Sequence, residues 1–116
     1  MTDHDDGVYF EHILKCIEDV RGFVDGKIEK IHEDKLLWSA TLRVLQIMSE
    51  SATKLSEPTK LAMPAIQWPR IRGFRNLLVH DYLGNIEPEI VCHVLQYELP
   101  ILEKEINRML AQRREK

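Results

Sequence analysis

Several things are scarce or missing in this chain of 116 residues, and each absence removes a class of protein. There are two cysteines, Cys16 and Cys92, far apart and in no C-x-x-C pair. That excludes a disulfide framework and the usual structural zinc site, and points to a reducing cytoplasm. Glycine and proline number five each, too few for a low-complexity or collagenous chain. No apolar run approaches the ~20 residues needed to cross a bilayer, so no membrane partner is expected. The first residues, M-T-D-H-D-D, are acidic where a secretory signal would be basic. Positive charge is not in excess either: 16 Lys and Arg stand against 19 Asp and Glu, a net charge of −3. A nucleic-acid surface must then be a local patch, or one assembled across subunits. No stretch alternates apolar and polar with period two, and nothing repeats. Among His4, His12, His32, His80 and His93 there is no H-x-x-x-H or H-E-x-x-H spacing, so a metal centre is a poor expectation. No G-x-S-x-G elbow exists for a serine hydrolase.

What is present is apolar periodicity at three- and four-residue steps. With 44% hydrophobic and 30% charged residues, the chain reads as one helical domain over 1–116. Phe10, Ile13, Leu14, Ile17, Val20, Ile28 and Ile31 predict a first helix over about 8–31, bent near Gly22 and Gly26. Leu37, Ala40, Thr41, Val44, Leu45, Met48, Ala52 and Leu55 predict a second over 34–55. Residues 56–70 hold three prolines and read as an ordered connector with one short turn, Trp68 anchoring it and held extended before Pro69. A third helix is expected from Ile71 to Leu83, closed by Gly84 and Asn85. The last starts at Pro88, is kinked at Pro100 and runs on through Leu110. The predicted architecture is all-α, an antiparallel bundle of four main helices plus a short one.

The polar residues concentrate in I-R-G-F-R-N-L-L-V-H-D-Y-L-G-N, from Ile71 to Asn85. Advancing ~100° per residue puts Ile71, Phe74 and Leu78 on the core face, and Asn76 and His80 together on the opposite face near Arg72. Arg75 and Tyr82 share a sector at the core edge. A guanidinium placed there needs a carboxylate or an anionic ligand, and Glu50 of the second helix is the expected resting partner. Arg75 and His80 stand ~140° apart on an ideal helix. Either the arginine stem wraps around, or a two-fold partner completes a composite site.

These residue types suit metal-free cleavage of RNA. His80 can exchange a proton with a 2′-hydroxyl or a leaving oxygen, Arg75 can stabilise charge building on phosphorus, and Asn76 can orient the imidazole or hold a phosphate oxygen. On chemistry alone, the segment reads equally as a buried structural polar network. The other histidines read as caps or surface residues, the aromatics Tyr9, Phe10, Trp38 and Trp68 as core or interface, and R-R-E-K as a solvated end.

At these positions the sequence resembles the HEPN superfamily and, within it, the HepT-like toxins. The family pattern of Arg, four residues, His, one residue, Tyr is matched by Arg75, His80 and Tyr82, with Asn76 after the arginine. W-P-R-I-R-G-F-R-N-L-L-V-H-D-Y-L-G-N-I is similar to the family's run around the motif, and L-Q-I-M-S-E-S-A-T-K-L to its second-helix block. The resemblance extends over about residues 8–110 and departs at Ser49, where the family commonly has Gly before the Glu. It implies the HEPN fold and a homodimeric, metal-independent endoribonuclease without a cofactor, Arg75 and His80 catalytic and Asn76 and Glu50 supporting. Arg70, Arg72 and Arg75 of both chains would line an RNA groove. The implied partner is a minimal nucleotidyltransferase antitoxin of the MntA kind, transferring AMP to Tyr82 in a type VII toxin–antitoxin pair. Alternatives are a HEPN module that binds a nucleotide or a nucleotidyltransferase without cleaving RNA, and a purely structural helical dimer.

Overall fold

The computed structural model describes residues 5–81 and 86–114, and every described element is helical. The order is α1 (Asp6–Val24), a 3-10 segment (Ile28–Glu33), α2 (Lys35–Thr53), α3 (Glu57–Leu61), α4 (Trp68–Val79), α5 (Pro88–His93), a π-helical turn (Val94–Glu98) and α6 (Leu99–Arg114).

Helix α1 starts where Asp5 accepts a hydrogen bond from the Gly7 amide at 2.9 Å, an N-cap that satisfies one otherwise unpaired donor. It stops at Val24, not at residue 31. Asp25 (φ 47°) and Gly26 (φ 75°) both adopt the left-handed conformation, which ends a helix. The apolar spacing continues past this stop because Ile28 and Ile31 belong to the 3-10 segment and still pack on the core. Asp34 then caps α2, accepting from the Leu37 amide at 3.0 Å.

Helices α1 and α2 run antiparallel. The start of α1 lies beside the end of α2, where His12 Nδ1 and Ser51 Oγ are 2.6 Å apart and Asp6 accepts from Ser56. Helix α6 is antiparallel to α1, with Arg21–Glu103 ion-paired at one end and Arg113–Asp5 at the other. Phe10, Ile13, Ile17 and Val20 of α1 meet Leu45, Met48 and Ala52 of α2 and Leu102 and Ile106 of α6, all at most 4% exposed. Helix α2 is central, packed on α1 on one side and α4 on the other.

The connector after α2 is the expected ordered one. Met63 and Ile66 are buried in it, and Arg108 of α6 donates to the Ala62 carbonyl at 2.8 Å. Trp68 anchors it by donating Nε1–H to the Lys60 carbonyl at 3.1 Å. Trp68 is not extended, however: it opens α4, three residues before the expected start, and Gln67 is the cap. Pro69 in the first turn lacks an amide that would have found no helical partner there, so the helix forms at no hydrogen-bonding cost. The interruption expected at Pro100 takes the form of the π turn. The Leu99 amide donates to Val94, five residues back, and the widened turn before the proline keeps the helix continuous from Pro88 to Arg114.

Candidate active site

Helix α4 carries the site, and its docking is the one read from its apolar spacing. Leu78 is buried and Ile71 and Phe74 pack partly buried on the core. The described helix ends at Val79, four residues short of expectation, with His80 as its cap (φ −99°, ψ 14°), its amide donating to the Asn76 carbonyl at 3.1 Å. His80 therefore leaves the helical path, and its exposed side chain is no longer bound to the angle an ideal helix would impose.

Arg75 lies at the seam between α4 and α2. Its Nη2 is 3.5 Å from Glu50 Oε2, and its Nη1 donates to Asn76 Oδ1 at 3.2 Å. Both Arg75 and Glu50 are 37% exposed, so the pair is wet enough to yield to a competing anion and close enough to hold the guanidinium at rest. Ser49, the position that departs from the family pattern, is 1% exposed and donates its hydroxyl to the Leu45 carbonyl one turn back at 2.8 Å. That bond satisfies the extra polar atom inside the helix, and Glu50 keeps its place beside Arg75.

The remaining expected residues divide. Arg72 and Asn76 are exposed on the outer face of α4. Arg70 points the other way, pairing with Glu98 at 3.1 Å, and Glu98 also receives His93 Nε2 at 3.5 Å. Tyr82, together with Leu83, Gly84 and Asn85, lies outside the described residues. Among the described residues, no three His, Cys, Asp or Glu side chains converge as metal ligands, and no helix is long and apolar enough to cross a membrane.

Two features were not read from the sequence. One is a groove of about 720 Å³ between α4 and the α5–π–α6 helix, with Tyr97, Ile101 and Leu77 on its walls. Its signal was available: Leu77 falls off the core face of α4, and Tyr97 and Ile101, four apart, share a face that Leu102 and Ile106 do not. The other is Asp6, which stands in the acidic N-terminal stretch yet is 7% exposed and hydrogen-bonded to Ser56 and Thr59.

Comparison with known proteins agrees with the family resemblance. Residues 13–109 match the ribonuclease HepT-like family. The chain is 31% identical to a candidate RNase of Caldanaerobacter subterraneus subsp. tengcongensis, over 88% of this chain and 91% of that one. It is 26% identical to a candidate RNase of Methanocaldococcus jannaschii over the full length of both, and 24% identical to a ribonuclease HepT candidate of Thermococcus cleftensis over 87% of this chain and 92% of that one. No solved structure gives a significant match. With the Arg75–Asn76–His80 geometry on α4 and a family match over most of its length, the chain belongs to the ribonuclease HepT-like family.

Proposed function

We propose that the protein is a metal-independent endoribonuclease toxin, active as a homodimer and silenced by adenylylation of Tyr82. The observation that carries the reading is Arg75, parked at the α2–α4 seam by Glu50 and Asn76, on the helix that ends at His80. Cleavage needs no external water in its first step. A base takes the proton of the 2′-hydroxyl, the oxygen attacks the adjacent phosphorus, and the 5′-oxygen leaves with a proton. The products are a 2′,3′-cyclic phosphate and a free 5′-hydroxyl.

His80 serves one of these proton transfers. Arg75, released from Glu50 by the incoming phosphate, stabilises the charge on the non-bridging oxygens, and Asn76 and Arg72 position the backbone. Arg70 reaches a phosphate only by leaving Glu98. Tyr82 stands two residues beyond His80 in the chain. AMP on its phenol, transferred by a cognate minimal nucleotidyltransferase, adds negative charge and bulk that RNA cannot share. The partnership also accounts for an acidic chain acting on RNA, because the basic residues of two α4 helices flank one cleft.

The test is cleavage of RNA by the purified protein in EDTA, beside His80→Ala and Arg75→Ala. The wild type is expected to cleave and each variant to lose on the order of 10²–10⁴ in rate. A wild type inert in EDTA, or a variant as fast as wild type, refutes the mechanism. Co-expression with a minimal nucleotidyltransferase of the MntA kind should add the mass of AMP at Tyr82, and an unmodified Tyr82 refutes the regulation.

A further inference from the structure

Of the eight arginines, all of them among the described residues, five are ion-paired to a carboxylate, and Arg43, Arg72 and Arg114 are not. Arg114 ends the last described helix, and Arg72 already belongs to the site. Arg43 is left over. It is exposed in the middle of α2, and the positions three and four residues away, where a helix would supply a partner, hold Ser39, Ala40, Gln46 and Ile47. Arg43 and Glu50 are seven residues apart, so they project from nearly the same face of α2, ~10.5 Å from one another along its axis. Helix α4 runs back along α2. Its first residue, Trp68, donates to the Lys60 carbonyl, and Lys60 donates to Thr53 at the end of α2, whereas Arg75, two turns further on, reaches Glu50. Continuing along α4 therefore leads toward Arg43.

His80 caps α4 five residues after Arg75, ~7.5 Å further in that direction. Along the seam it thus falls between the level of Arg75 and the level of Arg43. A single phosphate is served by Arg75 and Asn76. Two guanidiniums at separate levels of one seam, with an imidazole between them, fit an anion whose charges repeat along a strand. Gln46, half-buried and about one turn from both Arg43 and Glu50, adds a neutral hydrogen-bonding group to the stretch of α2 between them. We propose that Arg43 binds the RNA phosphate next to the scissile one, on the His80 side of it. Helix α2 then supplies a second cationic contact and sets the direction in which the strand lies. The inference rests on the ribonuclease reading for what is bound, and adds a contact that reading does not use.

The experiment has a binding arm and a cleavage arm, both on the full chain. Fluorescence anisotropy measures the affinity for a single-stranded 2′-O-methyl oligoribonucleotide, which lacks the attacking hydroxyl and stays intact, across a salt series. Arg43→Ala is expected to raise Kd about three- to tenfold at low salt, alike on every sequence, and to flatten the plot of log K against log salt by about 0.7. Arg43→Lys should keep the wild-type slope. Lys15→Ala removes the same charge from α1, where Lys15 is paired with Asp19, and should bind as wild type does. In cleavage, Arg43→Ala should lose at least about fivefold more kcat/KM on a tetranucleotide than on a dinucleoside monophosphate, which carries no neighbouring phosphate. A damaged fold would lower both alike, and an exposed side chain without an ion pair should leave the melting temperature near wild type. Wild-type affinity and salt slope in Arg43→Ala, or an equal loss on the two substrates, overturns the proposal while the ribonuclease reading stands. A wild type that binds the probe through Arg43 but cleaves nothing refutes that reading and leaves this contact standing, and one that binds no single-stranded RNA overturns both.

Discussion

Replacing Asp6 with alanine removes a carboxylate that is 7% exposed and joins two helices otherwise distant in sequence. One oxygen accepts from the Ser56 amide at 3.0 Å; the other accepts from Ser56 Oγ at 2.7 Å and from Thr59 Oγ1. Asp6 thus caps α3 from the first turn of α1. A hydrogen bond to a charged group is worth about 1.5–3 kcal/mol net when buried. Ser56 and Thr59 are half-buried and can recover part of that from water, and the three bonds share one acceptor group, so they do not add in full. The expected loss is about 2–4 kcal/mol. At 116 residues, an unfolding entropy of roughly 2.1 cal/mol/K per residue makes each kcal/mol worth about 4 °C, so the melting temperature should fall by roughly 8–16 °C. Asp5→Ala is the internal standard. It removes an exposed N-cap bond to Gly7 and an exposed contact with Arg113, and should cost about 1 kcal/mol. Urea and thermal unfolding of both variants under two-state conditions measure the difference. If Asp6→Ala costs no more than Asp5→Ala, the latch does not hold α3 and the reasoning fails.

Glu50→Gln should change stability by under about 1 kcal/mol, since both partners of the Arg75 pair are over a third exposed. Its kcat/KM on RNA should still fall about tenfold as Arg75 loses its tether, and unchanged cleavage would show that Glu50 does not position it. Burial pushes the Cys16 and Cys92 thiols up, leaving little thiolate at neutral pH. A chromogenic disulfide should therefore label the native chain slowly and the urea-unfolded chain fast; equal rates would contradict the packing. The Arg108 guanidinium holds the Glu105 carboxyl below the usual carboxylate range. A depressed carboxyl contributes stability above its unfolded pKa and loses it as pH falls through the folded one. The wild-type advantage over Glu105→Gln should consequently shrink in acid, whereas the difference between Arg108→Gln and Arg108→Ala, which both lack the charge pair, should not; urea midpoints at pH 7 and about pH 3 decide it.

The two flanks of α4 face different surroundings. Arg75 faces α2 and is tied to Glu50, while Leu77 and Gly73 face the open groove on the other flank of the same helix.

Apolar spacing by itself determined the helical class, the core face of α4 and the pairing of Arg75 with Glu50, because each depends on a period of three to four residues and on one partly buried charge needing a partner. Local chemistry also located the start of α2 at Asp34 and the entry of α5 at Pro88. What the spacing could not show was where helices stop. Ile28 and Ile31 continue the pattern after Asp25 and Gly26 have turned left-handed, since burial selects apolar residues whatever the backbone between them does. Only the tertiary structure decided that Pro100 is absorbed by a π turn, that Arg70 answers Glu98, and that Asp6 is buried. Each is a contact between residues at least 25 apart or a choice among helical geometries of similar energy. Periodicity carries information about a face, and these outcomes depend on what the rest of the chain brings against it.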